Sequence, residues 1–352
     1  MSKRIAVVGT GALGGYVGGY LAQAGLDVTL IDFWPENIEI IRSRGLELDG
    51  VTPEEKFTVK NAKTMHLTEM QDLSRQKPID IAFVAMKSYD TEWATALIKQ
   101  YLSPDGYIVS LQNCLNEERI AGVVGWGKTV GMVASLISVD MYEAGRIRRT
   151  VAKGGDKHTV FRVGEVHGRI TKRVEELREM VAMIDSAKTT TNLWGERWAK
   201  LCQNGMKNGV SAGMTGTDCD RNDAVRGFSI KLGGEAVRVG QALGYHIEKI
   251  GKLEPETLAR ASENDKAALD AVEAILRPGS NTNPNPRADI QRPSMAQDIL
   301  KGRRTEIEFM NGYVAERGTY IGVPAPTHTK LTEIVKKVER KELKPAAALL
   351  GG

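Results

Sequence analysis

Residues 5–26, IAVVGTGALGGYVGGYLAQAGL, constrain the fold of this chain more than any other stretch. They carry no charge, follow Lys3-Arg4 and include seven glycines. Two readings compete. Gly14/Gly18 and Gly15/Gly19 match the small-xxx-small spacing of packed membrane helices, and the basic pair in front resembles the start of a signal peptide. Glycine is a poor helix former, however, and Thr10, Tyr16, Tyr20 and Gln23 interrupt the apolar character. The better reading divides the stretch. Residues 3–8 are a short β-branched strand, residues 13–24 a helix, and Asp27-Val28-Thr29-Leu30-Ile31-Asp32 a second strand. Together they make one βαβ unit of about 30 residues.

Within that unit Gly9-Thr10-Gly11-Ala12-Leu13-Gly14 reads G-x-G-x-x-G. The first glycine permits a tight turn, the second lets backbone approach a pyrophosphate, and the third lets helix and strand pack closely. The helix start then presents free N–H groups to the phosphates. Gly9, Gly11, Ala12, Leu13 and Gly14 are therefore expected to bind a dinucleotide. Asp32, 18 residues after Gly14, is placed to bind the adenosine ribose and repel a 2′-phosphate. This favours NAD over NADP as the cofactor, with NADP possible. Arg42 and Arg44 lie close enough in the chain to blunt the preference.

Alternation of strands and helices continues, with a helix from Pro35 to residue 41, a strand over 79–85, a helix over 91–101 and a strand over 107–111. Further strands are expected at 129–138 and 159–163. Such a pattern predicts an α/β fold: an N-terminal Rossmann-type doubly wound parallel sheet covered on both faces. From about Thr171 the periodicity is helical, with helices expected at 172–184, 194–208, 224–243, 255–276, 294–300, 305–318 and 327–338. The expected organisation is a dinucleotide-binding domain over 1–188, a C-terminal all-helical substrate and catalytic domain over 189–340, and a frayed tail over 341–352. Residues 277–293, with four prolines and three asparagines, are a loop and a candidate lid.

Composition narrows the function classes. The chain has 352 residues, 41% hydrophobic and 26% charged, enough for two ordinary domains and too apolar for disorder. A net charge of +4 does not mark a nucleic-acid binder. Three cysteines without close pairing, Cys114, Cys202 and Cys219, fit a reducing, cytoplasmic setting and lack zinc-ligand spacing. The five histidines are scattered, so no metal site is expected. Gly122 to Thr129 satisfies G-x-x-x-x-G-K-[ST], but a helix-like run precedes it and a strand-like run follows. That is the reverse of a P-loop, and triphosphate binding is rejected.

Chemistry-bearing residues fall into two groups. Lys87 and Asn113 follow strands of the sheet, whose carboxyl ends face the cofactor crevice of a doubly wound fold. Lys200, Asn204 and Asn208 are spaced i, i+4, i+8, which on a regular helix drifts by about 40° per step along one face. Trp198, Leu201 and Met206 supply apolar surroundings. Glu306 opens a later helix that carries Asn311 and Gly312, and Ser294 with Gln297 has the form of a capping box.

GTGALG, VAMKSYDT, SLQNCLNEE, LWGERWAKLCQNGMKNGVSA, PSMAQDILKGRRTEIEFMNG and GVPAPTHTKL follow one another across nearly the whole chain. In this set and order the chain resembles the ketopantoate reductase (2-dehydropantoate 2-reductase) family. The resemblance implies a Rossmann domain joined to a helical domain, with the site in the cleft between them. It implies that Lys200 is the general acid and that Glu306 orients it or helps bind substrate. Asn113, Asn204, Asn208 and Ser294 would contact substrate or order the lysine, and Lys87 would meet the cofactor. The expected partner is a small carbonyl or alcohol, with neither nucleic acid nor membrane involved, and a homodimer is possible. Three features depart from the family pattern. The second strand ends in Asp32 rather than a basic or neutral residue, Cys114 stands in the Gln-Asn-Gly step, and there is extra sequence around 250–293. A catabolic NAD-linked dehydrogenase of a 2-hydroxy acid therefore stands beside ketopantoate reduction. An opine- or imine-type dehydrogenase and a non-catalytic NAD(H)-sensing protein are the competing readings.

Overall fold

The computed structural model describes residues 3–214, 222–277, 287 and 290–350. The chain forms two compact units, Met1–Leu193 and Trp194–Gly352. The break lies five residues beyond the boundary expected at 188.

The first unit begins with β1 (Arg4–Val8), α1 (Ala12–Gln23), β2 (Asp27–Asp32), α2 (Pro35–Arg44), β3 (Leu46–Asp49), β4 (Lys56–Val59) and β5 (Lys63–His66). It continues with β6 (Ile79–Val84), α3 (Thr91–Lys99), β7 (Leu102–Ser110), α4 (Glu117–Val124) and β8 (Thr129–Ala134). Then follow β9 (Val139–Glu143), β10 (Arg146–Arg149), β11 (Phe161–Glu165), α5 (Lys172–Ala182) and β12 (Ala187–Thr189). The main sheet has the order β12-β11-β8-β7-β6-β1-β2-β5. Pairing is parallel from β5 to β8; β11 then runs antiparallel to β8, with β12 parallel to β11. Alternate residues of β1 feed opposite faces, as a pleated strand requires. Ile5 and Val7 join the cluster under α1 and α5, whereas Ala6 and Val8 join the cluster with Ala94 and Ile98 of α3 and Ile120 of α4.

A second sheet, β4-β3-β10-β9, is absent from the sequence reading. It packs on the other side of α1, and its Leu46, Leu48 and Ile147 share a core with Tyr16, Val17 and Leu21. The glycines of α1 make room for both sheets. A Cβ on Gly15 would lie 2.5 Å from Ile147 Cδ1, and one on Gly18 would lie 2.5 Å from Leu30 Cδ2. The small-xxx-small spacing therefore serves packing between two sheets. Among the described residues no helix is long and apolar enough to cross a membrane.

The second unit consists, as described, of helices. It holds α6 (Leu193–Asn204), whose first residue closes the first unit, a π-helical turn at Gly205–Gly209, α7 (Val210–Met214) and α8 (Asp223–Ala242). It continues with α9 (Pro255–Ser262), α10 (Lys266–Leu276), α11 (Ser294–Leu300), α12 (Ile307–Ile321) and α13 (Pro326–Glu339). The single helix expected over 255–276 is broken. Asn264 adopts a left-handed φ of 68°, and the Asp265 side chain caps α10 by accepting the Ala268 N–H at 3.1 Å. The expected frayed tail is docked instead: the Ala346 N–H donates to the Gly213 carbonyl at 3.0 Å, and Leu350 is buried. Most of the candidate lid, at 278–286 and 288–289, lies outside the described residues.

Candidate active site

The glycine turn has the form its sequence predicts. Gly9 sits at φ 100°, where a side chain is strained, and its N–H donates to the Ile31 carbonyl at 2.8 Å. A Cβ on Gly14 would lie 2.0 Å from the Gly9 carbonyl oxygen, so helix and turn touch only because it is absent. At Gly11, by contrast, a Cβ would meet nothing within 4 Å. The space over this residue, the N-cap of α1, is open. No side chain caps α1, so the first-turn N–H groups around Ala12, Leu13 and Gly14 are directed at that opening. A backbone cradle with free donors and a positive helix end fits the pyrophosphate of a dinucleotide.

Asp32 ends β2 beside this turn and is only 5% exposed. Its carboxylate accepts the Trp34 N–H at 3.0 Å. Burial raises its pKa, opposed by backbone donors of Trp34, Phe33 and Thr10. Arg42 does not lie idle near it: its guanidinium is paired with Glu39 at 2.9 Å and with Glu69. Arg44 lines a cavity of about 420 Å³ between α2 and the small sheet.

Lys87 follows β6 in a half-buried 3₁₀ entry to α3, and Asn113 follows β7. Their loops are stitched together. Gln112 Nε2 donates to the Met86 carbonyl at 2.8 Å and to Thr91 Oγ1 at 2.9 Å, and Asn116 Nδ2 donates to Ser88 Oγ at 3.0 Å. The Asn113 carbonyl accepts from Asn116 Nδ2 at 2.8 Å. Cys114 keeps a left-handed φ of 62°. A turn that suits glycine is thus retained with cysteine in it. The rejected P-loop segment runs α4, a 3₁₀ turn and then β8, and Lys128 Nζ is held by the Pro104 carbonyl at 2.7 Å.

In the second unit the expected regular helix over 194–208 is interrupted. Lys200 and Asn204 lie on α6, whereas Asn208 lies in the π turn. A π turn is wider than an α turn, so the step from Asn204 to Asn208 does not continue the α-helical drift but turns it back. All three are half-buried, while Trp198, Leu201 and Met206 are buried beside them. Carbonyls that a π turn leaves poorly paired take side-chain donors. Asn311 Nδ2 of α12 donates to the Gly205 carbonyl at 3.2 Å, and Ser229 Oγ of α8 donates to the Met206 carbonyl at 3.2 Å.

Ser294 is the first residue of α11 and not its N-cap, which is Pro293, so the capping box does not form. Gln297 Nε2 donates to the Arg292 carbonyl instead, at 2.9 Å. The freed Ser294 hydroxyl donates to Asn208 Oδ1 at 3.2 Å, joining two predicted site residues across 86 positions. Glu306 is the N-cap position of α12 and is 2% exposed, yet its side chain makes no cap hydrogen bond. The helix that this acid opens packs against the π turn that carries Asn208.

Two family models match the chain: ketopantoate reductase PanE/ApbA over residues 5–160 and ketopantoate reductase PanE/ApbA C terminal over residues 192–339. The chain belongs to the ketopantoate reductase family. Among curated relatives, the 2-dehydropantoate 2-reductase of Archaeoglobus fulgidus is 26% identical, over 96% of this chain and 98% of that protein. That of Pyrococcus horikoshii is 28% identical, over 96% and 97%. The PanE/ApbA family ketopantoate reductase of Ralstonia eutropha superposes with a TM-score of 0.73 at 25% identity, covering 96% of this chain and 99% of that one. D-Mandelate dehydrogenase, in its ternary structure with NADH and anilino(oxo)acetate, shares the fold with a TM-score of 0.76 at 20% identity, covering 97% and 100%. Family membership makes this chain an NAD(P)-dependent oxidoreductase of the carbonyl–alcohol class.

The sequence reading passed over the support beneath the lysine–asparagine face. Asn311 is fully buried, and its Nδ2 also donates to His328 Nδ1 at 3.1 Å. His328 Nε2 donates to the Leu232 carbonyl of α8 at 2.8 Å, which fixes the proton on Nε2. Burial pushes the His328 pKa down to about 4, so the ring is neutral. Glu235 accepts the N–H groups of Thr327 and His328 and the Thr327 hydroxyl, anchoring the start of α13. An Asn on a helix, five residues after Glu306, was the available signal; its partner 17 residues later was not.

Proposed function

We propose that this chain interconverts a 2-oxo acid and its 2-hydroxy acid, with NAD(H) favoured over NADP(H) and ketopantoate as one candidate substrate. The sheet unit serves as the dinucleotide-binding domain and the helical unit as the substrate and catalytic domain. The observation that carries this reading is the polar face of Lys200, Asn204 and Asn208, with Ser294 bonded to Asn208, in a chain whose glycine turn leaves open space over Gly11.

A reduced nicotinamide, when bound, supplies the hydride for the carbonyl carbon. The residues of this chain handle everything else. As charge grows on the carbonyl oxygen, the Lys200 ammonium stabilises it and delivers the proton; in the oxidative direction neutral Lys200 takes the hydroxyl proton. Glu306, held in a buried position, orients the amine or binds substrate. Asn113, Asn204, Asn208 and Ser294 supply neutral hydrogen bonds, which suit an oxygen-rich substrate without competing for the proton. Lys87 meets the cofactor. The preference for NAD(H) rests on Asp32, which sets a carboxylate where a 2′-phosphate would approach, and on the engagement of Arg42 by Glu39 and Glu69.

The test is a panel of 2-oxo acids and secondary alcohols assayed with both cofactors, for the wild type and Lys200→Ala. Turnover should fall about 10²–10⁴-fold in the variant while cofactor affinity holds. Equal turnover would remove Lys200 as the acid. Cofactor binding without oxidation across the panel would favour a sensing protein.

A further inference from the structure

Phe33 and Trp93 are large aromatic side chains left 53% and 38% exposed. They stand sixty positions apart in the chain, yet their ring centroids lie 6.4 Å apart at 83°. A hydrogen bond fixes the Trp93 ring itself, and another fixes the Phe33 backbone. The Phe33 carbonyl faces His66 Nε2 at 3.1 Å, and the Trp93 indole N–H donates to Asp90 Oδ1 at 2.8 Å. Their place in the topology is specific. Phe33 directly follows Asp32 at the carboxyl end of β2, and Trp93 stands in the first turn of α3, after the loop that leaves β6. β2 and β6 are the two neighbours of β1, whose carboxyl end opens into the Gly9 turn. The pair therefore joins the loops on either side of the glycine turn, next to the proposed ribose acid.

We propose that Phe33 and Trp93 form a stacking platform for the adenine ring of the dinucleotide. This rests on the cofactor reading above and adds the recognition of the base. A planar purine gains from lying on one ring while its edge meets the other, the geometry in which aromatic groups attract. The aromatic pair recognises a π-face and not a phosphate, so it serves NADH and NADPH alike and leaves discrimination between them to Asp32. Stacking of a base on an aromatic side chain is worth roughly a five- to hundredfold change in affinity on alanine substitution.

The experiment measures dissociation constants on the full chain for NADH, NADPH, ADP-ribose and dihydronicotinamide mononucleotide, which lacks the adenosine half. Phe33→Ala and Trp93→Ala should each weaken NADH and ADP-ribose about five- to hundredfold and leave the mononucleotide unchanged. Trp93→Phe and Phe33→Tyr should stay near wild type, which separates stacking from damage to the fold. Wild-type affinities for NADH retained in both alanine variants would overturn the platform. So would equal weakening of the mononucleotide, or a change of oligomeric state in place of a change in affinity. A wild-type chain that binds neither NADH nor NADPH would instead remove the cofactor reading on which the platform rests.

Discussion

His328 offers a test in which the sign and the size of the effect follow from the geometry. Its ring is buried, donates to the Leu232 carbonyl and accepts from Asn311, so a second ring proton would face the Asn311 amide N–H. The folded-state pKa is pushed down from 6.5 to about 4. Above pH 6.5 the imidazole is neutral whether the chain is folded or not. Between about 6.5 and about 4 the unfolded chain takes up a proton that the folded one refuses, so stability falls as the pH falls through that window. Linkage over this shift gives a loss of roughly 2 kcal/mol by about pH 5 and roughly 3 kcal/mol at pH 4 and below. His328→Gln keeps an amide donor for Leu232 and an acceptor for Asn311 but does not titrate. Urea unfolding followed by far-UV circular dichroism, for wild type and variant at about pH 7.5 and pH 5, isolates the effect, because Glu235 and every other titrating group are common to both. The advantage of the wild type should shrink by roughly 2 kcal/mol on acidification. A constant gap, or one that widens, would refute the neutral buried imidazole.

Asp32→Ala should move the kcat/KM ratio of NADPH to NADH upward by about tenfold or more; an unmoved ratio would show that the ribose assignment is wrong. Ser294→Ala removes the donor to Asn208 and should raise KM for the oxo acid about fivefold with a smaller effect on kcat, a split that steady-state kinetics resolves. At Glu165 burial pushes the carboxyl pKa up, but hydrogen bonds from Arg173 and Thr171 outweigh it and hold the group below its ordinary range. Its contribution is therefore present above pH 4.5 and lost as the pH falls through the lowered value. Glu165→Gln should cost about 1–3 kcal/mol at pH 7, and thermal melts of the two proteins should converge as acidification carries the pH below the lowered value.

What the sequence disclosed follows from how strongly each feature is written in local pattern. The βαβ unit was legible because its glycines, its apolar runs and Asp32 all occur within one short stretch. The i, i+4 spacing of Lys200 and Asn204 does fall on one helix, whereas the same spacing misled at Asn208, which lies in the π turn. The small sheet was not, since β3, β4 and β10 have four residues each and strands such as RIRR carry charge on the open face. Their pairing is also distant, with β10 lying beside β3 across about a hundred positions. The π turn was invisible for a different reason: it is fixed by Asn311 and Ser229, donors from α12 and α8, and local propensity contains no trace of them. The break between α9 and α10 could have been read, because Asn264-Asp265 supplies a left-handed residue followed by a cap. Ser294 shows the reverse error, a capping pattern that was present but unused because its hydroxyl found Asn208.

The helix that begins at the glycine turn has little strength of its own. Four of its twelve residues are glycine, each costing about 1 kcal/mol against alanine in a helix interior. It is kept straight by what grips it from two sides, and the small sheet is one of the jaws. Asn37 completes the link: its Nδ2 donates to the Thr10 carbonyl at 3.1 Å, and its Oδ1 accepts the Gly145 N–H at the tip of the β9–β10 hairpin at 2.8 Å. The glycine turn is thus moored, through one buried amide, to a hairpin more than a hundred residues downstream. A lesion in that hairpin would register as a slackened glycine turn, far along the chain from the change itself.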